Sequence, residues 1–326
     1  GFGRGEGSVL ITESKIQPIN DYDIYVITNK KVKSEKIQQI RLKLTNLVKI
    51  RQIDLDFKTK KSLRFSKKTV ANYDLKYASK FIYGNSNALD EIPTFHADEI
   101  ILKESIIPMN LFLISLIQSY PTVYSEENIF WGKQQISKAI LGCAMALLIL
   151  EKKYHPSYLV RKNVFKELTN DLEILDLVKF ATDFKINPSV NSDLDWKSLW
   201  HRSLIFYLKT LKRVYSLIYR KKINNIFDII RCLKNDNKNR LKKIYGFFKG
   251  TKIYKKRENL KIIELLILSY IAEINKKDST NLIKIENEIK KHFLITSVDI
   301  NKVLYYCIEN DENCSIWKSR TNKIFY

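Results

Sequence analysis

Two pairs of aspartates stand in stretches whose residue types and spacing suit the binding of a cation. Asp21 and Asp23 are separated by one residue, and Asp54 and Asp56 repeat that spacing further along the chain. Neighbouring carboxylates repel each other and are costly to leave unpaired. A divalent cation such as Mg²⁺ or Mn²⁺ relieves that cost because it prefers hard oxygen ligands. Three carboxylates around such ions are what two-metal transfer of a phosphoryl or nucleotidyl group requires.

Both pairs fall in stretches that we predict to be β-strands. Asp21–Ile27 alternates with period two and is rich in strand-forming residues, and Ile50–Phe57 alternates in the same way. Since side chains on a strand alternate between its faces, the two aspartates of each pair share one face. Ser34–Leu47, between the two strands, has the apolar spacing of a helix.

A glycine-rich segment precedes the aspartates, with glycine at positions 1, 3 and 5. The backbone N–H groups of Gly1, Gly3 and Gly5 can approach and hold a triphosphate because no side chain intervenes. Arg4 could pair with a phosphate, or form a salt bridge with Glu6 or another nearby acid.

Two lysines are further candidates for contact with the phosphates. Lys76 and Lys80 lie four residues apart in Ala71–Lys80, which we predict to be a helix, so they would share one helical face. The alternative is an ordinary solvated face, because lysine is frequent throughout this chain.

The order of these motifs resembles the polymerase-β nucleotidyltransferase superfamily. In that family a Gly-Gly or Gly-Ser turn, often continuing into Arg-Gly-Glu, precedes an Asp-x-Asp strand and a third aspartate on a later strand. Here the corresponding residues are Gly1-Phe2-Gly3-Arg4-Gly5-Glu6 and Asp21-Tyr22-Asp23-Ile24-Tyr25-Val26. The resemblance covers residues 1–90, and the stretch between the two motifs, longer here than in small members, is predicted as a hairpin over Val9–Ile19.

The resemblance implies transfer of a nucleoside monophosphate from a nucleoside triphosphate such as ATP, with Mg²⁺ or Mn²⁺ as cofactor. It implies that Asp21, Asp23 and Asp54 are the catalytic metal ligands. Asp54 is preferred as the third ligand because it matches the apolar-Asp-apolar pattern of the family, but Asp56 fits that pattern too. On the family's pattern Gly1 is the second residue of the turn, so we expect the first strand and helix of the domain to be missing from this chain.

The arrangement of predicted elements indicates an α+β protein. We predict a small mixed-sheet catalytic domain over residues 1–97, which includes a short strand Phe81–Tyr83 closed by Gly84. From about Glu99 onward helical spacing dominates, with one helix predicted over about 159–182. Residues 98–326 are therefore predicted to form a larger all-α accessory or substrate domain.

The acceptor of the transferred group is not specified by the catalytic motifs. A formal net charge of +22 suits a polyanionic partner such as RNA, although codon usage in an AT-rich genome would also enrich lysine. We expect a small-molecule or glycan-related acceptor, since no clear basic-and-aromatic stripe is present, with RNA- or oligonucleotide-directed transfer or an inactive nucleotide-binding protein as alternatives. Tyr154–Tyr158 is interpreted either as an acceptor pocket or as a turn between helices.

Cysteine spacing and hydropathy indicate the cellular compartment of the protein. The chain has four cysteines and no Cys-x-x-Cys pair, which argues against a disulfide framework and favours a reducing cytoplasm. The longest uninterrupted apolar stretch, Ala139–Leu150, is shorter than the roughly 20 residues of a membrane-spanning helix. We therefore expect a cytoplasmic protein without a membrane span, and the sequence does not specify its oligomeric state.

Overall fold

The structure is a computed structural model. It describes residue 6 and residues 9–11, 16–18, 22–48, 53–120, 129–188, 195–235, 253–276 and 279–293. Within these residues the protein is mostly helical with two small two-stranded sheets, an α+β arrangement as the sequence predicts.

The N-terminal part begins with an antiparallel hairpin and a parallel strand pair. The hairpin joins β1 (Val9–Ile11) to β2 (Ile16–Pro18), which confirms the hairpin predicted from the sequence. The parallel pair is formed by β3 (Tyr22–Thr28) and β4 (Ile53–Thr59). Helix α1 (Ser34–Val48) makes the crossover that parallel strands require.

The burial of β4 explains why this strand forms at its position. Ile53 and Leu55 are 2% and 5% exposed, whereas the residues between and after them are more exposed. This alternation docks one face of the strand on the core and leaves the aspartates on the other. The two predicted strands and the helix are therefore confirmed, while positions 21 and 50–52 of the predicted strands lie outside the described residues.

Short helices follow the sheet. Helix α2 (Lys60–Arg64) begins at a capping box, in which the side-chain hydroxyls of Thr59 and Ser62 each accept a hydrogen bond from the backbone N–H of the other residue. Helix α3 (Val70–Ala78) has Thr69 as its N-cap. Short 3₁₀-helices then occupy Ser86–Glu91, Ala97–Glu99 and Leu102–Ser105.

The predicted strand Phe81–Tyr83 is wrong. These residues have no regular structure, and their side chains are 49%, 78% and 94% exposed. A strand needs a neighbour to take its backbone hydrogen bonds, and among the described residues none pairs with this segment. The turn at Gly84 is present, since its φ of 101° lies in the region that favours glycine.

Further helices follow among the described residues from position 106 onward. They are α4 (Ile106–Leu111), α5 (Leu113–Gln118), α6 (Ile129–Leu150), α7 (Tyr158–Lys166), α8 (Leu172–Ile186), α9 (Trp196–Tyr219), α10 (Ile226–Asn235), α11 (Ile253–Lys276) and α12 (Ser279–Phe293). The single helix predicted over about 159–182 is wrong, because it is divided before Asp171. The Asp171 side chain accepts hydrogen bonds from the N–H groups of Glu173 and Ile174 and starts α8 as its N-cap.

The chain divides into two compact units. The first comprises Gly1–Glu104 together with Leu148–Asp193, and the second comprises Ser105–Leu147 together with Leu194–Tyr326. The N-terminal stretch of the first unit thus ends close to the boundary predicted after residue 97, but this unit also contains α7 and α8. The assignment of residues 1–97 and 98–326 to catalytic and accessory domains stays a prediction.

The core of the second unit is apolar and closely packed. The Trp200 indole N–H donates to the carbonyl of Leu116 at 2.8 Å, and the Tyr207 hydroxyl donates to the carbonyl of Met109. Gly142 on α6 faces Phe112, where an added Cβ would lie 2.6 Å from the ring. Close packing of this kind transmits small changes in side-chain volume.

Helix α6 bears on the expectation that no segment spans a membrane. By length and composition it is the one described helix that could cross a bilayer, with a mean hydropathy of 1.2 over its most apolar window. Of that window 67% is buried inside the protein, as is typical of a core helix. The absence of a membrane span stays a prediction.

Candidate active site

The parallel strand pair brings the predicted catalytic carboxylates together on one face. In its register Asp23 is the partner of Asp54, and Tyr25 is the partner of Asp56. Neighbouring strands lie about 4.8 Å apart, so partners in a parallel register present their side chains side by side. Asp23 is exposed and Asp54 is half-buried. Two carboxylates from strands that are separated by α1 in sequence therefore meet on an accessible surface.

The register bears on the choice between Asp54 and Asp56. Asp54 lies directly beside Asp23, whereas Asp56 lies one pleat further along, beside Tyr25. The Asp56 carboxylate is 59% exposed and forms an ion pair with Lys58 at 3.7 Å. The geometry therefore favours Asp54 as the partner of Asp23 in cation binding.

Several predicted site residues lie outside the described part of the chain. They are Asp21, Gly1, Gly3, Arg4 and Gly5. Their roles as metal ligand and phosphate-binding loop stay predictions.

The chemistry of the described donors fits a hard divalent cation. Asp23 and Asp54 supply carboxylate oxygens on one face, which is the donor type that Mg²⁺ and Mn²⁺ prefer. Among the described residues no three His, Cys, Asp or Glu side chains are grouped closely enough to hold a metal ion. The third ligand predicted from the sequence, Asp21, is not among those residues.

The Tyr25 phenol feels the charge of a carboxylate from outside the strand pair. Its side chain is 40% exposed. Partial burial raises the pKa of the Tyr25 phenol, and the negative charges of Asp56, Asp23 and Asp74 raise it further. Asp74 belongs to α3, and sequence spacing gave no sign that its charge would act on the strand pair.

Asp74 accepts hydrogen bonds from a buried tyrosine in Leu148–Asp193, the second segment of the first unit. The Tyr154 hydroxyl lies 3.0 and 2.9 Å from the two carboxylate oxygens of Asp74, to which it donates. Tyr154 is 3% exposed, and burial raises its pKa well above the ordinary value. Tyr154 therefore stays protonated and serves as a hydrogen-bond donor.

Glu6, beside the predicted phosphate-binding loop, is anchored at the start of α7. Its carboxylate accepts from the Ser157 hydroxyl at 2.5 Å and from the N–H of Tyr158 at 2.8 Å. Burial raises the pKa of Glu6, but these hydrogen bonds and one from the Leu159 N–H outweigh burial and hold it below 4.5. An ionised carboxylate at a helix N-terminus is also favoured by the helix dipole.

The segment Tyr154–Tyr158 contacts two carboxylates of the first unit, Asp74 and Glu6. It forms the turn before α7, and its side chains are engaged in hydrogen bonds, as expected for a turn between helices. The alternative interpretation, an acceptor pocket at this segment, stays a prediction. Sequence analysis identified the segment but missed the two carboxylates that it binds.

The predicted lysines do not share a helical face. Helix α3 ends at Ala78, and Ser79 takes an extended conformation while its hydroxyl donates to the Leu75 carbonyl at 2.5 Å. Lys80 lies beyond that end and is exposed, so the predicted pairing of the two lysines is wrong. The Lys76 ammonium donates to the carbonyl of Ile92 at 2.5 Å, which is a contact within the fold. Phosphate binding by either lysine stays a prediction.

Comparisons with known proteins give a limited similarity. No family model matches the chain, and no solved structure matches it significantly. The chain is similar to the glycine–tRNA ligase beta subunits of two strains of Buchnera aphidicola subsp. Acyrthosiphon pisum, with 26% identity over 184 residues in each. That segment is 54% of this chain and 24% of each relative, so the match spans about a quarter of the relatives' length.

Proposed function

We propose that this chain carries a metal-dependent nucleotidyltransferase site of the polymerase-β type. The observation that supports it most directly is the β3–α1–β4 unit, whose parallel register sets Asp23 beside Asp54. The order of motifs in the sequence supports it as well, because a Gly-rich segment precedes Asp21-x-Asp23 and a later strand carries the third aspartate.

The proposed reaction moves a nucleoside monophosphate from a nucleoside triphosphate to an acceptor. The acceptor oxygen forms a bond to the α-phosphorus, the bond from that phosphorus to the bridging oxygen breaks, and pyrophosphate leaves. Asp21, Asp23 and Asp54 would hold Mg²⁺ or Mn²⁺, which when bound lowers the pKa of the attacking hydroxyl and neutralises the leaving group. The backbone N–H groups around Gly3 and Gly5 would orient the triphosphate.

Other residues of the first unit would support this site. Glu6 ties the end of the Gly-rich segment to α7 through Ser157 and the N–H of Tyr158. Tyr154 ties Asp74 of α3 to the same turn. A phosphate-binding loop that is fixed at its end loses less conformational entropy when it binds a ligand.

The leading acceptor class is a small molecule or a glycan-related molecule. RNA is the second candidate, and two observations favour it. The formal net charge of +22 suits a polyanion. The similar proteins are named as subunits of a tRNA ligase.

The proposed location of the protein is the cytoplasm. The thiols of Cys143 and Cys232 are buried and free, which suits a reducing compartment.

The experiment is a transfer screen with the four labelled nucleoside triphosphates and Mg²⁺ or Mn²⁺, in which mass spectrometry identifies the adduct. Asp23→Asn and Asp54→Asn should each lower kcat/KM at least about 100-fold, the upper range for loss of a group that merely supports a metal ligand. Asp56→Asn is the matched control, since it removes the same charge one pleat away and should have a much smaller effect.

Titration calorimetry of the triphosphate with Mg²⁺ separates catalysis from binding alone. An inactive nucleotide-binding protein would bind the triphosphate and give no adduct with any acceptor. Unchanged turnover in both Asp23→Asn and Asp54→Asn would contradict the assignment of these carboxylates.

A further inference from the structure

One guanidinium in the first unit is buried without a countercharge. Arg161, on the first turns of α7, is only 9% exposed. Its Nε has no hydrogen-bond partner, and no carboxylate of the described residues forms an ion pair with its side chain. Arginine is mostly exposed in proteins, and it is rarely buried to this extent unless it is paired. The position therefore calls for a partner that these residues do not supply.

Two aromatic rings hold this guanidinium in place. Its central carbon lies 4.3 Å from the ring centroid of Tyr158 and 5.5 Å from that of Tyr154. Cation–π contacts of this kind compensate part of the cost of removing the charge from water. They supply no hydrogen-bond acceptor, so the buried Nε–H of Arg161 stays without one.

The carboxylates nearest in the hydrogen-bond network are already engaged. Glu6 accepts from Ser157 and from the N–H groups of Tyr158 and Leu159. Asp74 accepts from the Tyr154 hydroxyl through both oxygens. Arg161 thus lies against the two tyrosines that contact Glu6 and Asp74, while neither of these carboxylates forms an ion pair with it.

We propose that Arg161, framed by Tyr154 and Tyr158, is an oxyanion-binding subsite that takes a phosphate or carboxylate group of a substrate. The planar fork of a guanidinium matches two oxygens of such a group, and binding supplies both the countercharge and an acceptor for the Nε–H. Its place in the reaction rests on the proposed function, since the oxyanion belongs either to the nucleotide or to an anionic acceptor.

The test measures binding of inorganic phosphate and pyrophosphate, without metal, to the full chain by titration calorimetry. Arg161→Gln should weaken binding about tenfold or more, the expected loss of a charge-assisted hydrogen bond. Arg161→Lys keeps the charge but not the fork, so it should also weaken binding. Lys166→Gln is the matched control, because it removes an exposed positive charge from the same helix and should leave binding unchanged.

Thermal unfolding without ligand distinguishes this role from a structural one. Since a buried charge without an ion-pair partner costs stability, Arg161→Gln should unfold at the wild-type temperature or above it. Two results together would overturn the proposal. They are a clear fall in the unfolding temperature of Arg161→Gln and an unchanged phosphate affinity of Arg161→Lys. Absence of phosphate and pyrophosphate binding by the wild type, or equal losses in Arg161→Gln and Lys166→Gln, would overturn it too.

Two further measurements assign the source of the oxyanion. Weaker ATP–Mg²⁺ binding in Arg161→Gln assigns the subsite to a nucleotide phosphate. Unchanged ATP–Mg²⁺ binding, with phosphate still bound by wild type saturated with ATP, assigns it to an anionic acceptor. The double variant Asp23→Asn, Asp54→Asn should retain phosphate binding. Phosphate binding that depends on Arg161 in a protein without transfer activity would therefore reject the proposed function and keep the subsite.

Discussion

Glu6 joins the start of the chain to the first turn of α7. It satisfies two N–H groups that a helix leaves without partners at its beginning, while Ser157 satisfies a third, that of Val160. The pKa of Glu6 lies below 4.5, so its ionised form is the one that these donors stabilise. The same contact therefore links local helix stability to the position of the predicted phosphate-binding loop.

This link predicts a pH dependence of stability. A carboxylate whose pKa is depressed in the folded state contributes stability above pH 4.5 that is lost as the pH falls through the folded pKa. Glu6→Gln should therefore lower the free energy of unfolding at pH 7 by about 1–2 kcal/mol, as for a lost helix cap. The difference from wild type should shrink below pH 4.5 in denaturant titrations.

Glu35→Gln is the matched control for this titration. Glu35 is exposed on α1, so its substitution should change stability little at either pH. A difference between wild type and Glu6→Gln that stays constant from pH 7 to below pH 4.5 would show that the carboxylate charge does not stabilise the fold.

At the scale of elements, the parallel pair and its crossover helix give the candidate site its geometry. A crossover through α1 sets β3 and β4 side by side in one direction, so residues at equal heights become neighbours. The second unit is ordered by another kind of contact, the close approach of helices. There α6 packs Gly142 directly against the ring of Phe112.

Gly142→Ala tests this helix contact. Alanine favours a helix over glycine by about 1 kcal/mol, but its Cβ would lie 2.6 Å from Phe112. Overpacking typically costs about 1–3 kcal/mol, so we expect a net loss of about 1 kcal/mol in the free energy of unfolding. Adding Phe112→Leu should restore part of this loss in a double-mutant cycle. A Gly142→Ala protein as stable as wild type would show that the ring moves aside without cost.

At the scale of the whole molecule, charge and the division into two units are the main features. A formal net charge of +22 would strengthen the binding of any polyanion at low salt, whatever the reaction. Charge alone therefore does not separate an RNA acceptor from a small one. The salt dependence of binding distinguishes the two acceptors, because its slope reports the number of phosphates that the protein contacts.

We expect transfer to the leading acceptor class to depend weakly on salt. Between 50 and 200 mM salt, a small acceptor should change kcat/KM less than about tenfold, whereas a partner contacted through 6–10 phosphates would lose roughly 10³–10⁵-fold in affinity. The measurement is initial transfer rate against salt at fixed Mg²⁺, with a neutral crowding agent as control. A steep decline with RNA as the only productive acceptor would replace the leading candidate by the second.

Sequence alone determined the local elements and the face that carries the carboxylates. The elements β3, α1 and β4 follow from periodicities of two and 3.6 residues, which are properties of neighbouring positions. Those periodicities place Asp54 and Asp56 on one face, and they do so without reference to the rest of the chain.

Tertiary structure decided what depends on contacts between distant residues. The register of β3 with β4 favoured Asp54 over Asp56, and the absence of a partner strand among the described residues left Phe81–Tyr83 irregular. The burial of Arg161 and the bonds from Tyr154 and Ser157 arise because Leu148–Asp193 belongs to the same unit as the sheet. Pairing and burial are set by which segments pack together, and sequence spacing carries no record of that choice.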